Sequence, residues 1–365
     1  MEQTKRIDYW YITDPEKDWK GYPVTEVTDD PSYKLAKMCE KTTFADLPAA
    51  DVERAKKAML DTIACMMLGS TTGFVPAMVE AEKPFLTKGE SKVFFYGNET
   101  TAIEAAVPNG SMASVAKYSD VHVTGGAVSE FIVPTLLTGL SLLKGKLGQT
   151  VNGKEFLTAY AVAAEWNVRH HSCMHYMDHA NATPGNLGCI ADGAAIGKLA
   201  GVDYLTLVNI CGFNFCSNTW GEGESHVEEC DARQVNTGIY ASDALMGLLV
   251  AKDGLTSPTA FYFGKSGYLR YIVWDDIEPE LLTRDLGKKW MWTKGLKYRT
   301  VAGTEDTALT NVVDELSWEQ LEEKLAECAA HCKKQYTPAE LSKIVALCKN
   351  MESVEDMTEL TDLLV

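Results

Sequence analysis

Residues 153–177 read GKEFLTAYAVAAEWNVRHHSCMHYM, and this stretch decides the fold class. Its alanine, leucine, valine and aromatic residues occupy more than one face of the helix that their spacing predicts. A helix that is apolar most of the way round is buried among other helices. The stretch therefore predicts the centre of a large helical core.

The same composition continues on both sides of this stretch, with alanine, glycine, leucine and isoleucine dense in the neighbouring segments. We find no G-x-G-x-x-G after a predicted strand and no P-loop, so neither a βαβ sheet nor a nucleotide cofactor is expected. The segment SKVFFY at 91–96 predicts one short strand. Helices are predicted at 51–68, 100–117, 131–145, 153–177, 189–200, 203–216, 236–252, 318–334, 337–350 and 354–364.

Helical periodicity divides the chain into four parts, and the predicted fold class is mainly α. Residues 1–32 are polar and aromatic without a period, which predicts an irregular N-terminal arm. Residues 33–282 predict one large all-helical domain. Basic and aromatic residues replace the helical pattern at 283–317, and helices that return to the large domain are predicted at 318–365.

Composition excludes several classes of protein. The chain has 365 residues, 46% of them apolar, and a formal net charge of −17. Such an acidic surface repels nucleic-acid phosphates and anionic membranes, so neither partner is expected. The first residues, MEQTKRIDYW, lack the apolar run of a signal peptide. We expect a cytoplasmic protein whose ten cysteines, none in a CxxC pair, are buried reduced thiols.

The histidines are concentrated in RHHSCMHYMDH, residues 169–179. If the helix continues, His171, His175 and His179 share one face, because residues four apart are neighbours. Such a stripe could bind Zn²⁺. The alternatives are an acid or base role for one of them, or separate hydrogen bonds after the helix has ended.

A second group of polar residues lies around Asp120. His122 follows this carboxylate and is a plausible general base. Lys117 could hold an anionic substrate or could only complement the dipole of a preceding helix. Tyr118 and Tyr298 could donate protons. Farther along the chain, the acidic segment 221–229 is either a site suited to neutral or cationic ligands or a solvated loop.

Several stretches, in this order, together resemble the MmgE/PrpD family of cofactor-free lyases and isomerases. The resemblance implies a helical domain, a smaller α+β lid, a site between the two, and a homodimer. It also implies that 283–317 is a reduced lid. The stretches are LDTIACMMLGS (60–70), AAVPNGSMASVAKYSD (105–120), GQTVNGKEFLTAYAVAAE (148–165), GAAIGKLAGVD (193–203), TGIYASDALMGLLVAKDGLTSP (237–258) and FGKSGY (263–268).

The departures from the family pattern concern its charged groups. Ala127-Val128-Ser129 occupies the position of a His-Pro-Ser that supplies a catalytic histidine, and a second family histidine falls on Ala182. Lys117 replaces the first aspartate of the family's N-G-x-x-x-H-x-x-D-x-D-D run, of which Asp120 is kept. A family lysine falls near His226-Val227 and is absent, whereas Leu296-Lys297-Tyr298 matches a Lys-Tyr-Pro stretch.

These observations predict a cofactor-independent lyase or isomerase that abstracts a proton next to a carbonyl or carboxyl group. With three cationic groups of the family lost, the substrate is not expected to be a tricarboxylate. A non-catalytic ligand-binding or partner subunit and a metal-dependent enzyme remain alternatives. The predicted catalytic residues are His122, Asp120, Lys117, Lys297 and His179, and the predicted substrate-binding residues are Tyr118, Thr183, His226 and Tyr298.

Overall fold

The computed structural model describes residues 26–179, 188–217, 228, 230–264, 267–270, 277–303 and 309–365, without the side chains of 178, 179 and 270. Helices dominate this part of the chain, so the predicted mainly α class is confirmed. The α-helices are α1 (Pro31–Lys41), α2 (Ala49–Gly69), α3 (Val75–Glu82), α4 (Ala102–Ser114), α5 (Ser129–Leu147), α6 (Gly153–Cys173), α7 (Tyr176–His179), α8 (Gly188–Leu199), α9 (Tyr204–Ser217), α10 (Ala232–Lys252), α11 (Trp292–Gly295), α12 (Trp318–Ala330), α13 (Pro338–Lys349) and α14 (Thr358–Thr361).

Local sequence explains where several of these helices begin. Thr337 caps α13 with Pro338 in its first turn, and the Glu340 side chain bonds back to the Thr337 amide at 2.8 Å. Such reciprocal capping satisfies two backbone donors that a helix start leaves without partners. Capping boxes also begin α4, α6 and α12.

The core is one continuous apolar cluster centred on α6, whose residues from Phe156 to Cys173 are all buried. Small residues let the surrounding helices approach closely. A Cβ added to Gly238 of α10 would lie 1.9 Å from the carbonyl oxygen of Val107 in α4. Only glycine allows this helix crossing, since 1.9 Å is far inside van der Waals contact.

Strands are short and form two small sheets. One pairs β1 (Ser91–Lys92) with β2 (Glu99–Thr100). The other has the order β4-β3-β5-β6 and is built from β3 (Val121–His122), β4 (Gly126–Ala127), β5 (Leu296–Arg299) and β6 (Val312–Val313), with every pair antiparallel. The segment predicted as a reduced lid supplies β5 and β6 of this second sheet. Its strand β5 therefore pairs directly with β3, which lies in the segment between α4 and α5.

Two arginines, the buried Arg169 and the half-buried Arg54, fasten that segment to the helices. Arg169 of α6 pairs with Glu165 at 2.6 Å and donates to the carbonyl oxygens of Leu281 and Arg284, each at 2.8 Å. Arg54 of α2 donates to the carbonyl oxygen of Leu296 at 3.0 Å. The side chains of Trp292 and Leu296 belong to the common core, so the described part of 283–317 has no core separate from it.

Some predicted elements were wrong. The strand predicted at 91–96 ends at Lys92, because Val93–Gly97 turns back and Phe95 has a φ of 62°. The helix predicted at 354–364 is reduced to α14, and α4 ends three residues before its predicted end. Helices α1 and α3 were not predicted, and α1 begins inside the range expected to be an irregular arm.

All ten cysteines lie in the described ranges, and none of them is in a disulfide. Eight are buried, as predicted, whereas Cys216 is exposed and Cys230 is half-buried. Within the described ranges, no helix combines the length and apolarity that crossing a membrane requires.

Candidate functional site

Asp120 lies at the start of α5 and is completely buried. The backbone amide of Ser129, the first residue of α5, donates to Asp120 Oδ1 at 3.0 Å, and the Ser129 hydroxyl bonds to Oδ2. A carboxylate in this position accepts two hydrogen bonds and faces the positive end of the helix dipole. This contact fixes the loop between α4 and α5 on the helix start.

A third polar group extends the contact. Tyr160 of α6 places its hydroxyl oxygen 2.7 Å from Ser129 Oγ, and its ring packs edge-on against Trp292 at 5.4 Å between centroids. When Asp120 is ionised, Tyr160 donates to Ser129 and Ser129 donates to Asp120. When Asp120 is protonated, both hydroxyls can reverse. Asp120, Ser129 and Tyr160 therefore form a hydrogen-bonded relay in which the direction of the hydroxyl hydrogen bonds depends on the protonation state of Asp120.

Burial and nearby anions raise the pKa of Asp120 to about 7, although Ser129 opposes the rise. Burial is the largest cause, followed by the charge of Asp61 in α2, and Glu130 adds a smaller effect. Asp61 is itself fully buried, and burial raises its pKa as well. Carboxyl groups with a pKa near the working pH are suited to general acid–base catalysis.

Two buried cations offset these carboxylates. Arg299 of β5 donates to the carbonyl oxygen of Ser119 at 2.6 Å and to that of Asp120 at 3.3 Å. Lys324 of α12 pairs with Asp61 at 2.7 Å. The candidate site is thus a cluster of ionisable groups on α2, the α4–α5 loop, α5, β5 and α12. We call Asp61, Asp120, Glu130, Arg299 and Lys324 the buried charge cluster.

His122, predicted as the general base, is held by both ring nitrogens. Its Nδ1 accepts from the amides of Thr124 at 3.2 Å and Gly125 at 3.1 Å, and Nε2 lies 3.3 Å from the carbonyl oxygen of Met291. Burial lowers the pKa of His122 to about 4. The ring packs so closely on Gly295 that a Cβ there would lie 2.6 Å from Nε2. The structure shows His122 as a neutral residue that joins β3 to α11.

Lys117 and Tyr118 lie just before the relay. Lys117 follows the end of α4 with a φ of 46°, and its side chain forms no ion pair within the described ranges. Lys117 follows Ser114, the last residue of α4, by three positions, and both of its predicted roles stay predictions. Tyr118 is buried, lies under the ammonium of Lys324, and places its hydroxyl 3.5 Å from the carbonyl oxygen of Thr300. Burial raises its pKa to about 12.

Lys297 and Tyr298 are neighbours in β5 and face opposite sides of the strand. Lys297 is half-buried and pairs with the exposed carboxylate of Asp314. Tyr298 is fully buried, and its hydroxyl lies 3.4 Å from the carbonyl oxygen of Arg54. Of the pair, Tyr298 lies on the side of Asp120 and Asp61, whose charges help to raise its pKa after burial.

The predicted histidine stripe does not form. Helix α6 ends at Cys173, Met174 follows it, and His175 has a φ of 51°, so the chain turns away before the next histidine. His171 Nδ1 lies 2.9 Å from the carbonyl oxygen of Asn167, whereas His175 is partly exposed and lies 3.5 Å from Glu278. Among the residues that the structure describes, no group of three His, Cys, Asp or Glu side chains could hold a metal ion.

Several predicted residues lie outside the described part of the chain. They are Thr183, His226, the side chain of His179 and, apart from Glu228, the acidic segment 221–229. Sequence reasoning missed six members of the site, which are Asp61, Ser129, Glu130, Tyr160, Arg299 and Lys324. Ser129 had a signal, since it keeps the serine of the family's His-Pro-Ser. Tyr160 and Lys324 had none, because each lies in an ordinary helix far along the chain.

A model of the MmgE/PrpD N-terminal domain matches residues 33–280, which include most of α1, all of α2 to α10, and the Asp120 relay. The chain belongs to the MmgE/PrpD family. The match ends before β5, so Arg299 and Lys324 lie outside it.

Curated relatives of this MmgE/PrpD protein include proteins of two Aspergillus species. A cis-aconitate decarboxylase-like protein, oryM, of Aspergillus oryzae is 27% identical over 278 residues, 71% of this chain and 56% of the relative. A cis-aconitate decarboxylase of Aspergillus terreus is 26% identical over 215 residues, 57% of this chain and 43% of the relative. The chain thus spans about half the length of the curated relatives it matches.

Proposed function

We propose that this chain is a lyase or isomerase that works without an organic cofactor and abstracts a proton next to a carbonyl or carboxyl group. The observation that supports this most is Asp120, the carboxylate kept from the family run, whose pKa lies at about 7. At that value, comparable amounts of base and acid are present at neutral pH. Membership of a family whose relatives are named decarboxylases supports the same class of reaction.

In the proposed reaction, Asp120 takes the proton from carbon. The electrons of the broken C–H bond move onto the neighbouring carbonyl or carboxyl oxygen and form an enolate. This enolate either expels a leaving group, which is elimination, or is protonated again, which is isomerisation. Ser129 and Tyr160 would reorient as Asp120 gains its proton, so that the charge change in the buried relay is spread over three groups.

The proposed substrate is a small molecule with fewer than three negative charges. The two family histidine positions considered above carry Ala127 and Ala182, and Lys297 is paired with Asp314. Lys117, beside the relay, is the cation we propose for holding a single carboxylate. The relatives' names point to cis-aconitate, a trianion for which these groups supply little compensating charge.

The test is exchange of a substrate C–H with solvent deuterium, followed by mass spectrometry on small mono- and dicarboxylic acids and keto acids. We expect exchange with at least one compound and its loss in Asp120→Asn. The matched control is Asp192→Asn, which changes another fully buried aspartate, in α8. Equal exchange in wild type and Asp120→Asn would rule out Asp120 as the base.

A non-catalytic ligand-binding or partner subunit is the second candidate. Both ring nitrogens of His122 are already hydrogen-bonded, so this histidine cannot act as a base, and this favours the non-catalytic candidate. This candidate predicts ligands that raise the melting temperature without any deuterium exchange. We also propose a homodimer, as in the family.

A further inference from the structure

Lys324 reaches the candidate site from α12, outside the part of the chain that the family model matches. Its side chain is 4% exposed. Its ammonium donates to Asp61 Oδ1 at 2.7 Å, to the carbonyl oxygen of Tyr118 at 2.9 Å and to that of Arg299 at 3.4 Å. An ammonium has three donors, and each of them has an acceptor here.

These acceptors belong to three separate segments that surround Asp120. Asp61 lies on α2, Tyr118 precedes Asp120 by two residues, and Arg299 of β5 donates to the Asp120 carbonyl oxygen. Lys324 Nζ also lies 3.6 Å from the centroid of the Tyr118 ring, a cation–π distance. One side chain therefore joins α2, the loop before Asp120 and the strand beside it to α12.

Stability alone does not explain a lysine at this position. A well-packed apolar pair of the same volume often holds helices together as well as a buried ion pair does, because burying two charges is costly. An apolar pair could not replace two effects of Lys324 and Asp61. Lys324 fixes the backbone carbonyls of Tyr118 and Arg299, and the pair places opposite charges next to the ionisable Asp120.

We propose that Lys324 is a positioning residue for Asp120, acting through Asp61 and through the carbonyls of Tyr118 and Arg299. The proposal deepens the function proposed above and rests on Asp120 being the acid–base group. Charged and titratable groups approach Asp120 from several elements, and Lys324 pairs with Asp61, one of its anionic neighbours. These groups are Asp61 and Cys65 from α2, Glu130 from α5, Tyr160 from α6, and Tyr298 and Arg299 from β5.

The experiment measures the pKa of Asp120 in the full chain by infrared spectroscopy of protein with ¹³C-labelled aspartate. The Asp120 band is assigned by difference from Asp120→Asn. Lys324→Met removes a nearby cation and should raise the pKa of Asp120 by about 1. Asp61→Asn removes a nearby anion and should lower it by about 1. The opposite directions of the two changes separate an electrostatic effect from general loosening.

Lys198→Met is the matched control, because Lys198 also donates to two backbone carbonyls, those of Glu40 at 3.0 Å and Thr42 at 2.7 Å. We expect it to lower the melting temperature without moving the Asp120 band. The proposal is overturned if Lys324→Met and Lys198→Met both lower the melting temperature and neither moves the Asp120 pKa. If Lys324→Met does not fold, Lys324→Gln takes its place, because it keeps a donor for the carbonyls and loses the charge, and an unchanged Asp120 pKa there overturns the proposal. No substrate is needed, so failure of the proposed reaction would be seen separately in deuterium exchange.

Discussion

Ser129 gives both its backbone amide and its hydroxyl to the carboxylate of Asp120, with the amide at 3.0 Å. Two donors and a helix N-terminus favour the ionised form of this carboxylate. Burial and the charge of Asp61 have a larger effect than these donors, and they raise the pKa of Asp120 to about 7. Asp120, which matches an aspartate of the family's N-G-x-x-x-H-x-x-D-x-D-D sequence, is therefore an acid that titrates near neutral pH.

The first prediction concerns Asp120 and stability. Its pKa is about 7 in the folded chain and ~3.9 in an unfolded one, so the folded state binds the extra proton between these values. The free energy of unfolding should therefore fall as pH rises through this window, by roughly 2–4 kcal/mol. Asp120→Asn, which resembles the protonated acid, should flatten the fall in urea titrations at several pH values. In the control variant Asp362→Asn, which changes an exposed aspartate, the free energy of unfolding should fall with pH as in the wild type. An unchanged slope in Asp120→Asn would contradict the prediction.

The second prediction concerns Asp192, which is fully buried in α8 and whose pKa burial raises well above its usual range. The Thr135 hydroxyl lies 2.9 Å from Asp192 Oδ1 and 3.1 Å from the carbonyl oxygen of Phe131. One hydroxyl hydrogen cannot serve both acceptors, so a protonated Asp192 that donates to the Thr135 hydroxyl satisfies both of these contacts. The infrared band of a protonated carboxyl should persist at pH values well above ~3.9, the pKa of an unburied aspartate, and should vanish in Asp192→Asn. No such band in the wild type would show that Asp192 is ionised.

The third prediction concerns the attachment of residues 281–292 to α6. Arg169→Met leaves Glu165 buried without its partner, which typically costs about 3–5 kcal/mol. Hydrogen exchange at the Met291 and Trp292 amides, which donate to Glu165 at 2.7 and 3.2 Å, should become faster.

A matched arginine tests whether this effect depends on burial. Arg284 pairs with Glu280 at 2.8 Å, but its side chain is 51% exposed. Arg284→Met should change the free energy of unfolding by less than about 1 kcal/mol, as exposed ion pairs do. If the free energy of unfolding falls equally in the two variants, the buried Arg169–Glu165 pair does not attach residues 281–292 more strongly than an exposed pair does.

The fourth prediction concerns substrate charge. Each charge-assisted hydrogen bond to a carboxylate contributes about 1.5–3 kcal/mol, so losing two or three lowers affinity by on the order of 10²-fold or more. We expect cis-aconitate and 2-methylcitrate to give no thermal shift at millimolar concentration and no turnover. Smaller monoanionic, neutral or amine-bearing compounds are the expected ligands. Stabilisation by either tricarboxylate would show that Lys117 and Lys297 restore the lost positive charge.

The fifth prediction concerns assembly. Light scattering at micromolar concentration should give twice the 40.1 kDa mass of the chain, in line with the proposed homodimer. A single monomer peak across that concentration range would refute it.

The sequence by itself determined the family and the helical class. Apolar residues on several faces of 153–173 can be satisfied only inside a helical core, and local capping signals such as Thr337-Pro338 and Glu340 mark a helix start without help from elsewhere. The kept Asp120 was also visible in the sequence, because it stands in a recognisable run with Asn109.

Only the tertiary structure decided what the polar residues do. His122 is the nearest histidine to Asp120 along the chain. Its ring nitrogens are nevertheless bound by the carbonyl oxygen of Met291 and the amides of Thr124 and Gly125, so His122 is a neutral structural residue. Lys324 lies about two hundred positions from Tyr118 and still contacts its carbonyl. Hydrogen bonds, burial and charge pairing depend on distances in space, and segments far apart in the sequence meet only when the helices pack. The roles of Asp61, Tyr160 and Lys324 around Asp120 therefore follow from the fold and not from any local pattern.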